Sequence, residues 1–248
     1  MSIYIKSAKE IEGIRIAGKI VAMTLNYIKD QLKPDMSLLE IEKLCADFIV
    51  NQNAKPAFKG YHGFPGFVCI SINDEVVHGI PNSSKIHFGY LVKIDVGVYK
   101  DGFYADGAKT FVIGTINGST KKLVDTTEQA LYLGIDKARA GNHLGEISAT
   151  IQNYVESNGF SVVRELSGHG VGIELHEEPM IPNFGSPNAG ITLKPGMTLA
   201  IEPMVNLGKY QVYTDNNKWT VKTKDGKMSA HFEHTILVTD DKPQILTK

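Results

Sequence analysis

One short pattern occurs twice in this chain, and the repetition limits the folds available to it. Residues 36–41 align with residues 142–147 at an offset of 106, where a leucine, a glutamate and an isoleucine coincide at the start of two amphipathic helices. Residues 93–95 align with residues 200–202 at an offset of 107, and an acid ends an apolar run in both places. Chance similarity between amphipathic helices is common, but agreement of helix and acid at nearly one offset favours duplication. The repeat therefore predicts two related halves that enclose one central site.

The predicted halves are approximately residues 1–115 and 116–248, within a single domain over residues 1–248. With 248 residues and 42% apolar content, the chain is long enough to bury a large core, as one compact domain or as two fused halves. Its formal net charge of −1 gives no electrostatic reason to expect a nucleic-acid partner.

Capping signals and the spacing of apolar side chains mark the helices. Ser7–Glu10 and Ser37–Glu40 each fit a capping box ahead of an apolar helix face. Pro34 is expected to end the first helix. Two further helices are predicted, from about Thr120 to Ala140 and from Leu144 to Ser157.

The remaining segments have the period of short strands, with turn residues between them. Strands are predicted over residues 68–72, 91–98, 111–113, 161–164, 198–205, 219–222 and 231–238. Helices and strands are thus grouped twice along the chain. The sequence predicts an α/β (α+β) fold.

The two cysteines, Cys45 and Cys69, are too few for a disulfide framework and are not spaced like a thiolate metal motif. Cys45 falls on an apolar helix face, which indicates a packed core residue. The N-terminus lacks the apolar stretch of a signal peptide, and no later segment approaches the length of a membrane span. We expect a soluble, cytoplasmic protein without membrane contact.

Four carboxylates lie in segments that otherwise resemble buried strands, namely Asp95, Asp106, Glu202 and Glu233. An acid inside an apolar strand is costly unless a cation or hydrogen-bond donors satisfy it. Asp106 alone is weak evidence, because Asp-Gly is a common hairpin turn. The recurrence of the pattern favours a metal site.

Histidines supply the other candidates. His169 and His176 lie seven residues apart in the run Gly-His-Gly-Val-Gly-Ile-Glu-Leu-His, around what we interpret as a glycine-rich bend. A lone histidine is more often a core or surface residue, but the glycines would let the backbone approach a ligand. His78, in Asn-Asp-Glu-Val-Val-His-Gly-Ile-Pro, is the third candidate.

This set of donors indicates the chemistry. Carboxylate oxygens with one or two imidazoles suit divalent Mn, Fe, Co or Zn, and the excess of acids favours two bridged cations over one structural zinc. Two cations about 3.5 to 4 Å apart can hold a bridging water, polarise a carbonyl and stabilise the oxyanion formed on attack. Hydrolysis of a carbonyl-type bond is implied.

The ordered motifs also carry a family resemblance. They cover residues 73–81, 94–97, 102–106, 168–172, 176–183, 201–204 and 232–235. Together they resemble the type I methionine aminopeptidases over nearly the whole chain. The resemblance implies the pita-bread fold, with two pseudo-symmetric halves around a central curved sheet, as a single catalytic domain. It implies a metal-dependent hydrolase that removes the N-terminal methionine when the second residue is small.

The resemblance further assigns roles to residues. It implies that five side chains hold two divalent metal ions (Co, Mn, Fe or Zn): Asp95, Asp106, His169, Glu202 and Glu233. Asp106 and Glu233 would bridge both ions, and Asp95 would serve only the second. Glu202 is similar to the general base, His176 to the donor that polarises the scissile carbonyl, and His78 to the residue that contacts the scissile amide nitrogen. Such ligands accept several metals, so the sequence does not select one.

An apolar pocket for the methionine side chain is implied as well. Its expected lining is Tyr61, His62, Phe64, Cys69, His78, His176 and Trp219. Aromatic edges favour a thioether modestly, while ordinary core packing is an equal alternative for Phe64 and Cys69. Family members often have an aromatic residue where Leu175 stands and a basic residue where Ile173 stands, so the pocket rim is expected to differ.

Two alternatives stay open. Proline-specific dipeptidases and aminopeptidases share the fold and ligands, but they usually carry a large additional N-terminal domain. A type II enzyme is disfavoured, because the 26 positions from His176 to Glu202 leave no room for its helical insertion. A binding module with the same fold usually loses metal ligands, whereas all five are present here.

The implied partners are the N-termini of nascent polypeptides, with transient contact to the ribosome. No concentrated basic patch marks a docking surface for it. The family suggests a monomer, and no specific nucleic acid is expected.

Overall fold

Four α-helices and fifteen β-strands organise residues 3–248, the part of the chain described by the computed structural model. The helices are α1 (Ala8–Gln31), α2 (Leu38–Asn51), α3 (Gly118–Lys137) and α4 (Leu144–Ser157). The earlier strands are β1 (Lys55–Pro56), β2 (Cys69–Ile72), β3 (Glu75–Val77), β4 (Leu91–Lys100) and β5 (Phe103–Val112). The later strands are β6 (Ser161–Val162), β7 (Ser167–Gly170), β8 (Glu177–Pro182), β9 (Thr198–Ile201), β10 (Met204–Asn206), β11 (Val212–Thr214), β12 (Val221–Thr223), β13 (Ser229–His231), β14 (His234–Leu237) and β15 (Gln244–Ile245).

The helices follow the local signals closely. Both predicted capping boxes are present, because the Ser7 and Ser37 hydroxyls accept backbone N–H groups and the glutamates three residues later accept in return. Helix α3 begins earlier than predicted, since the Asn117 side chain accepts the backbone N–H of Thr120 at 2.8 Å and caps the helix there. Helix α4 has the predicted bounds. Cys45 is fully buried in α2, as predicted, and burial raises the pKa of its thiol to about 12.

The strands depart from the prediction in a consistent way. The segment predicted over residues 111–113 is only the end of the ten-residue strand β5. Residues 198–205 and 231–238 were each predicted as one strand, but each is interrupted at an acid, Glu202 or Glu233. Pro203 has no N–H with which to continue the ladder, which explains the first interruption. At each interruption an acidic residue lies outside the strands, where side chains no longer alternate between the two faces of a sheet.

Two larger and two smaller sheets result. The first larger sheet has the order β1-β4-β2, with β5 paired to β4, and the second has the order β15-β14-β9-β7-β8. The smaller sheets are β13-β10-β6 and β11-β12-β3. One large apolar cluster joins α1 and α2 to β4 and β5, and another joins α3 and α4 to β9 and β14. Each half therefore buries one face of a sheet beneath two helices.

The halves meet where β5 runs beside the segment that joins β13 to β14. The backbone of Glu233 donates to Ala108 at 2.9 Å, and Ala108 donates back at 3.4 Å. Two residues along, the Thr235 hydroxyl accepts the N–H of Asp106 at 3.0 Å and donates to its carbonyl at 2.8 Å. Two predicted ligands, Asp106 and Glu233, are thereby fixed at the junction by the backbone. Within residues 3–248, no helix combines the length and apolar character needed to cross a membrane.

Candidate metal centre

The five predicted ligands converge on one open cavity of about 200 Å³ between the halves. Ligand atoms of Asp106, His169 and Glu233 all lie within 4.8 Å of one another. The Nε2 atom of His169 is 3.9 Å from Asp106 Oδ2 and 3.9 Å from Glu202 Oε1. Asp95 lines the same cavity. The structure thus brings together all five residues that the sequence indicated.

Strand pairing explains this convergence. Asp95 on β4 and Asp106 on β5 belong to one hairpin, in which Asp95 pairs with Ala108 and Gly97 pairs with Asp106. The turn of this hairpin is at Asp101, where the backbone has φ of 50°. Asp106 therefore lies inside a strand, and the alternative that it is a turn residue is wrong.

The glycines around His169 do not make a bend. Gly168 and Gly170 belong to strand β7, and a Cβ atom on either would approach the carbonyl oxygen of Ala200 at 2.3 Å or of Glu178 at 2.4 Å. Their absence of a side chain lets β7 lie between β8 and β9. The bend expected in this run lies further along, at residues 172–176 between β7 and β8. His169 is held rigidly as a result.

The acids are poorly satisfied by the protein itself. Among the described residues, Asp95 Oδ1 and Glu233 Oε1 are buried and have no hydrogen-bond partner. Burial raises the pKa of Asp106 to about 7 and that of Glu202 to about 8. Burial, followed by repulsion from the neighbouring acids, raises the pKa of Asp95 and of Glu233 well above the usual range. Four such acids around one point fit a divalent cation, whose charge would offset the cost of burying them.

The imidazole of His169 is prepared to act as a ligand. Its Nδ1 lies 2.8 Å from the carbonyl oxygen of Gly170, which can only accept, so Nδ1 carries the proton. The lone pair is left on Nε2, the atom that faces Asp106 and Glu202. Burial lowers the pKa of His169 to about 3, which keeps the ring neutral.

The other two predicted histidines border the same cavity. His176 Nδ1 lies 2.9 Å from the Tyr61 hydroxyl, and the two rings stack with centroids 5.1 Å apart. His78 has a left-handed backbone with φ of 57°, a conformation that costs energy outside glycine and often occurs at functional sites. Burial lowers the pKa of His78 to about 4. Both rings therefore border the cavity that contains the candidate ligands. His78 is a neutral imidazole there, and His176 is a hydrogen-bond partner of Tyr61.

The predicted pocket residues line one wall of this cavity, namely Tyr61, His62, Phe64, Cys69 and Trp219. The Phe64 ring meets Trp219 edge-on at 5.2 Å. Phe64 and Cys69 are also buried in an apolar cluster, so the pocket role and the packing role coexist. Leu175 is 1% exposed in that cluster, which places this departure from the family pattern behind the pocket wall.

Sequence reasoning missed one residue next to the ligands. His231 is buried, and its Nε2 lies 3.1 Å from Glu202 Oε2. Ligand atoms of Glu202, His231 and Glu233 form a second group within 4.8 Å of one another. The available signal was its spacing of two from Glu233, since residues two apart in extended chain share a face.

A buried ion pair secures the loop that carries His176. The ammonium of Lys6 contacts one carboxylate oxygen of Glu177, and their side chains are only 1% and 10% exposed. The other oxygen of Glu177 accepts the backbone N–H groups of Ile173 at 2.7 Å and Glu174 at 3.0 Å. The N-terminal segment thus fixes the loop that precedes His176.

Lys6→Met is expected to destabilise the protein by about 3 kcal/mol, because it leaves the buried Glu177 carboxylate without its cation. Urea unfolding measures the change. Lys43→Met is the control, since Lys43 and Asp47 form a pair with side chains 74% and 57% exposed, and it should cost about 0.5 kcal/mol or less. Equal losses for the two variants would show that the Lys6 pair has no special role.

Comparison with known proteins places this geometry in a family. Residues 12–240 match metallopeptidase family M24. Methionine aminopeptidase 1 of Bacillus subtilis (strain 168) is 49% identical over 246 residues, covering 99% of each protein. The methionine aminopeptidase of Clostridium perfringens is 47% identical over 245 residues, covering 99% of this chain and 98% of the relative.

Solved structures agree. The crystal structure of methionine aminopeptidase from Thermotoga maritima matches with a TM-score of 0.98 and 44% identity over 100% of both chains. The prolidase from Pyrococcus furiosus has a TM-score of 0.81 at 23% identity, and the match covers 65% of that chain, which shows a shared fold alone.

The chain therefore belongs to metallopeptidase family M24. Within that family, bacterial methionine aminopeptidases match this chain over nearly their whole length. The resemblance drawn from the motifs is therefore confirmed. The expected α/β pita-bread fold is confirmed with it.

Proposed function

We propose that this chain is a methionyl aminopeptidase, a metal-dependent hydrolase that removes the N-terminal methionine from peptides and nascent proteins when the second residue is small. One observation carries the proposal: two buried acids, two partly buried acids and one imidazole converge beside a cavity with an aromatic wall. The chain's full-length relatives are named methionine aminopeptidases, which supports the same conclusion.

Asp95, Asp106, His169, Glu202 and Glu233 are the residues that would hold the metal. We propose two divalent ions, to both of which Asp106 and Glu233 would contribute, whereas Asp95 would contribute to one of them. Support comes from Glu233, which belongs to both groups of potential ligands, and from Asp106, which stands beside it at the junction of the halves. When bound, the ions supply positive charge that polarises the substrate carbonyl and makes water more acidic.

The chain's own groups handle the proton and the carbonyl. Glu202 is the proposed base, because its carboxylate borders the cavity and its Oε1 lies 3.9 Å from the Nε2 of His169, among the candidate metal ligands. His176 is the proposed donor to the carbonyl oxygen. If the Tyr61 hydroxyl donates to Nδ1, the proton of the neutral ring lies on Nε2 and is available to the substrate. His78, in the same cavity, is proposed to contact the scissile amide nitrogen.

The aromatic wall is proposed to hold the methionine side chain. Trp219→Ala should raise KM for Met-Ala-Ser about tenfold, because it removes a large apolar contact from one side of the thioether. The turnover number should change much less, since Trp219 does not belong to the ligand set. Steady-state kinetics on purified variants make the comparison.

Tyr213→Ala is the matched control, because Tyr213 lies on β11 in the sheet beside Trp219 and is 45% exposed. Its KM should equal that of the unmodified protein. An unchanged KM for Trp219→Ala would instead assign Trp219 to ordinary packing.

A peptide panel tests the proposed function against its nearest rival. The purified chain, loaded with Mn²⁺, Co²⁺ or Fe²⁺, is incubated with Met-Ala-Ser, Met-Lys-Ser and Ala-Pro-Ser, and the released amino acid is identified. Release of methionine from Met-Ala-Ser alone supports the proposal. Cleavage of only Ala-Pro-Ser would assign the chain to the proline-specific enzymes, and cleavage of none with bound metal would favour a binding module.

The remaining proposals concern the location, oligomeric state, origin and metal of the protein. An enzyme that acts on nascent N-termini would work in the cytoplasm and contact the ribosome transiently. We also propose a monomer, and two halves that arose by duplication. The separate core beneath each helix pair supports that origin. The metal in the cell is one of Co, Mn, Fe or Zn, because oxygen and nitrogen ligands accept all of them.

A further inference from the structure

His231 is a buried histidine beside the candidate ligands that the proposed mechanism does not use. It ends strand β13 and is 1% exposed. Its Nε2 lies 3.1 Å from Glu202 Oε2, within hydrogen-bonding distance. Because a carboxylate can only accept, the ring nitrogen donates in this bond.

The backbone of His231 is fixed on both sides. It pairs with Met204 of β10 in the antiparallel ladder. On the other side the Thr110 hydroxyl accepts the N–H of His231 at 3.0 Å and donates to its carbonyl at 2.7 Å. The Thr235 hydroxyl holds Asp106 in the same manner across the junction of the halves. His231 is therefore anchored as firmly as a predicted ligand, and its ring has little freedom to turn away from Glu202.

The two oxygens of Glu202 face different partners. Oε2 meets His231, while Oε1 lies 3.9 Å from the Nε2 of His169, on the side of Asp106 and Glu233. A hydrogen bond to one oxygen of a carboxylate restrains the rotation of the whole carboxylate group. The orientation of Oε1 toward the candidate ligands is thus set by a group outside the ligand set.

We propose that His231 is a positioning residue for Glu202, whose hydrogen bond to Oε2 directs Oε1 toward the metal and the substrate. This inference deepens the proposed function and rests on it for the role of Glu202. Removal of a residue that hydrogen-bonds to a metal ligand without touching the metal typically lowers metal affinity or activity about 10- to 100-fold. His231 needs no contact with the substrate to have this effect.

Two substitutions distinguish the effect of losing the hydrogen bond from the effect of losing the volume of the ring. His231→Leu keeps an apolar side chain of similar size without a donor, and His231→Gln keeps a side-chain N–H that can reach Glu202. We expect the leucine variant to lose metal affinity or turnover about 10- to 100-fold, with KM for Met-Ala-Ser almost unchanged. The glutamine variant should recover most of the loss. His87→Leu is the control, since the His87 side chain is 53% exposed at the surface.

The readouts are Mn²⁺ affinity and stoichiometry by calorimetry on the metal-free protein, kcat and KM for Met-Ala-Ser, and the unfolding temperature. If the leucine variant does not fold, His231→Asn replaces it, because its shorter amide cannot reach Glu202. Equal impairment of the glutamine variant, with one metal equivalent lost, would make His231 a direct ligand and overturn the proposal. Unchanged affinity and turnover in the leucine variant would overturn it as well. The calorimetric measurement of metal affinity does not depend on cleavage of Met-Ala-Ser. A failure of the positioning role of His231 can therefore be distinguished from a failure of the proposed function.

Discussion

Asp106→Ala and Glu233→Ala should each abolish the release of methionine from Met-Ala-Ser. Asp106 is 4% exposed and Glu233 is 2% exposed, and both face the point where the other acids and His169 converge. Truncation removes a negative charge and a ligand atom together, so bound metal and its stabilisation of the transition state should be lost. A loss of about 4 kcal/mol of that stabilisation slows turnover about a thousandfold.

Chromatography of the released methionine and metal analysis of the same samples measure both effects. Asp106→Asn and Glu233→Gln repeat the test with side chains of nearly unchanged volume. Asp101→Asn is the control, because Asp101 lies at the turn of the hairpin that carries Asp106 and its side chain is 78% exposed. Near-normal turnover with stoichiometric metal in either ligand variant would refute the assignment.

The second large effect is expected in the stability of the metal-free protein, which should fall as the pH rises from about 6.5 to about 8. Burial raises the pKa of Asp106 from 3.8 to about 7 and that of Glu202 from 4.5 to about 8. Above about pH 6.5 the folded chain holds protons on these acids that the unfolded chain has released. At lower pH the buried histidines, such as His78 and His169 with pKa values lowered to about 4 and about 3, oppose this trend, because the unfolded chain binds their protons and the folded chain does not. Stability falls with pH wherever the folded state binds more protons, and here the loss should be on the order of a few kcal/mol.

Metal should cancel this dependence, because a divalent cation replaces the protons on the acids, and protons displace the cation again only when the site is acidified. Urea unfolding of chelator-treated protein at pH 6.5 and pH 8, with and without Mn²⁺, measures the prediction. Glu202→Gln is the matched variant, since it removes one of the shifted acids and should flatten the profile. Metal-free protein that grows more stable from pH 6.5 to pH 8 would contradict the electrostatic account.

The sequence was most informative where structure is decided locally. The capping boxes at Ser7 and Ser37 and the bounds of α4 are set by residues within a turn of one another, so the pattern predicted them well. The acids that converge were found because a carboxylate in an apolar strand is costly, wherever its partner comes from. The repeat and the ordered motifs then indicated the fold and the family.

The parts that the sequence did not predict depend on contacts between distant segments. An apolar run that continues past Glu233 has the pattern of one unbroken strand, and its interruption becomes apparent only where the halves meet. Likewise, Lys6 and Glu177 are 171 positions apart, and nothing near either residue indicates the other. His231 is a single histidine at a strand end, and its significance comes from Glu202, which reaches it from another strand.

Stepwise addition of Mn²⁺ to chelator-treated protein, while methionine release from Met-Ala-Ser is followed, tests the central claim most directly. The claim is that these buried acids and His169 hold the metal on which methionine removal depends. The account predicts no release from metal-free protein and release that rises with bound metal, reaching its maximum by the second bound ion. Undiminished release without metal, or no release from fully loaded protein, would contradict it.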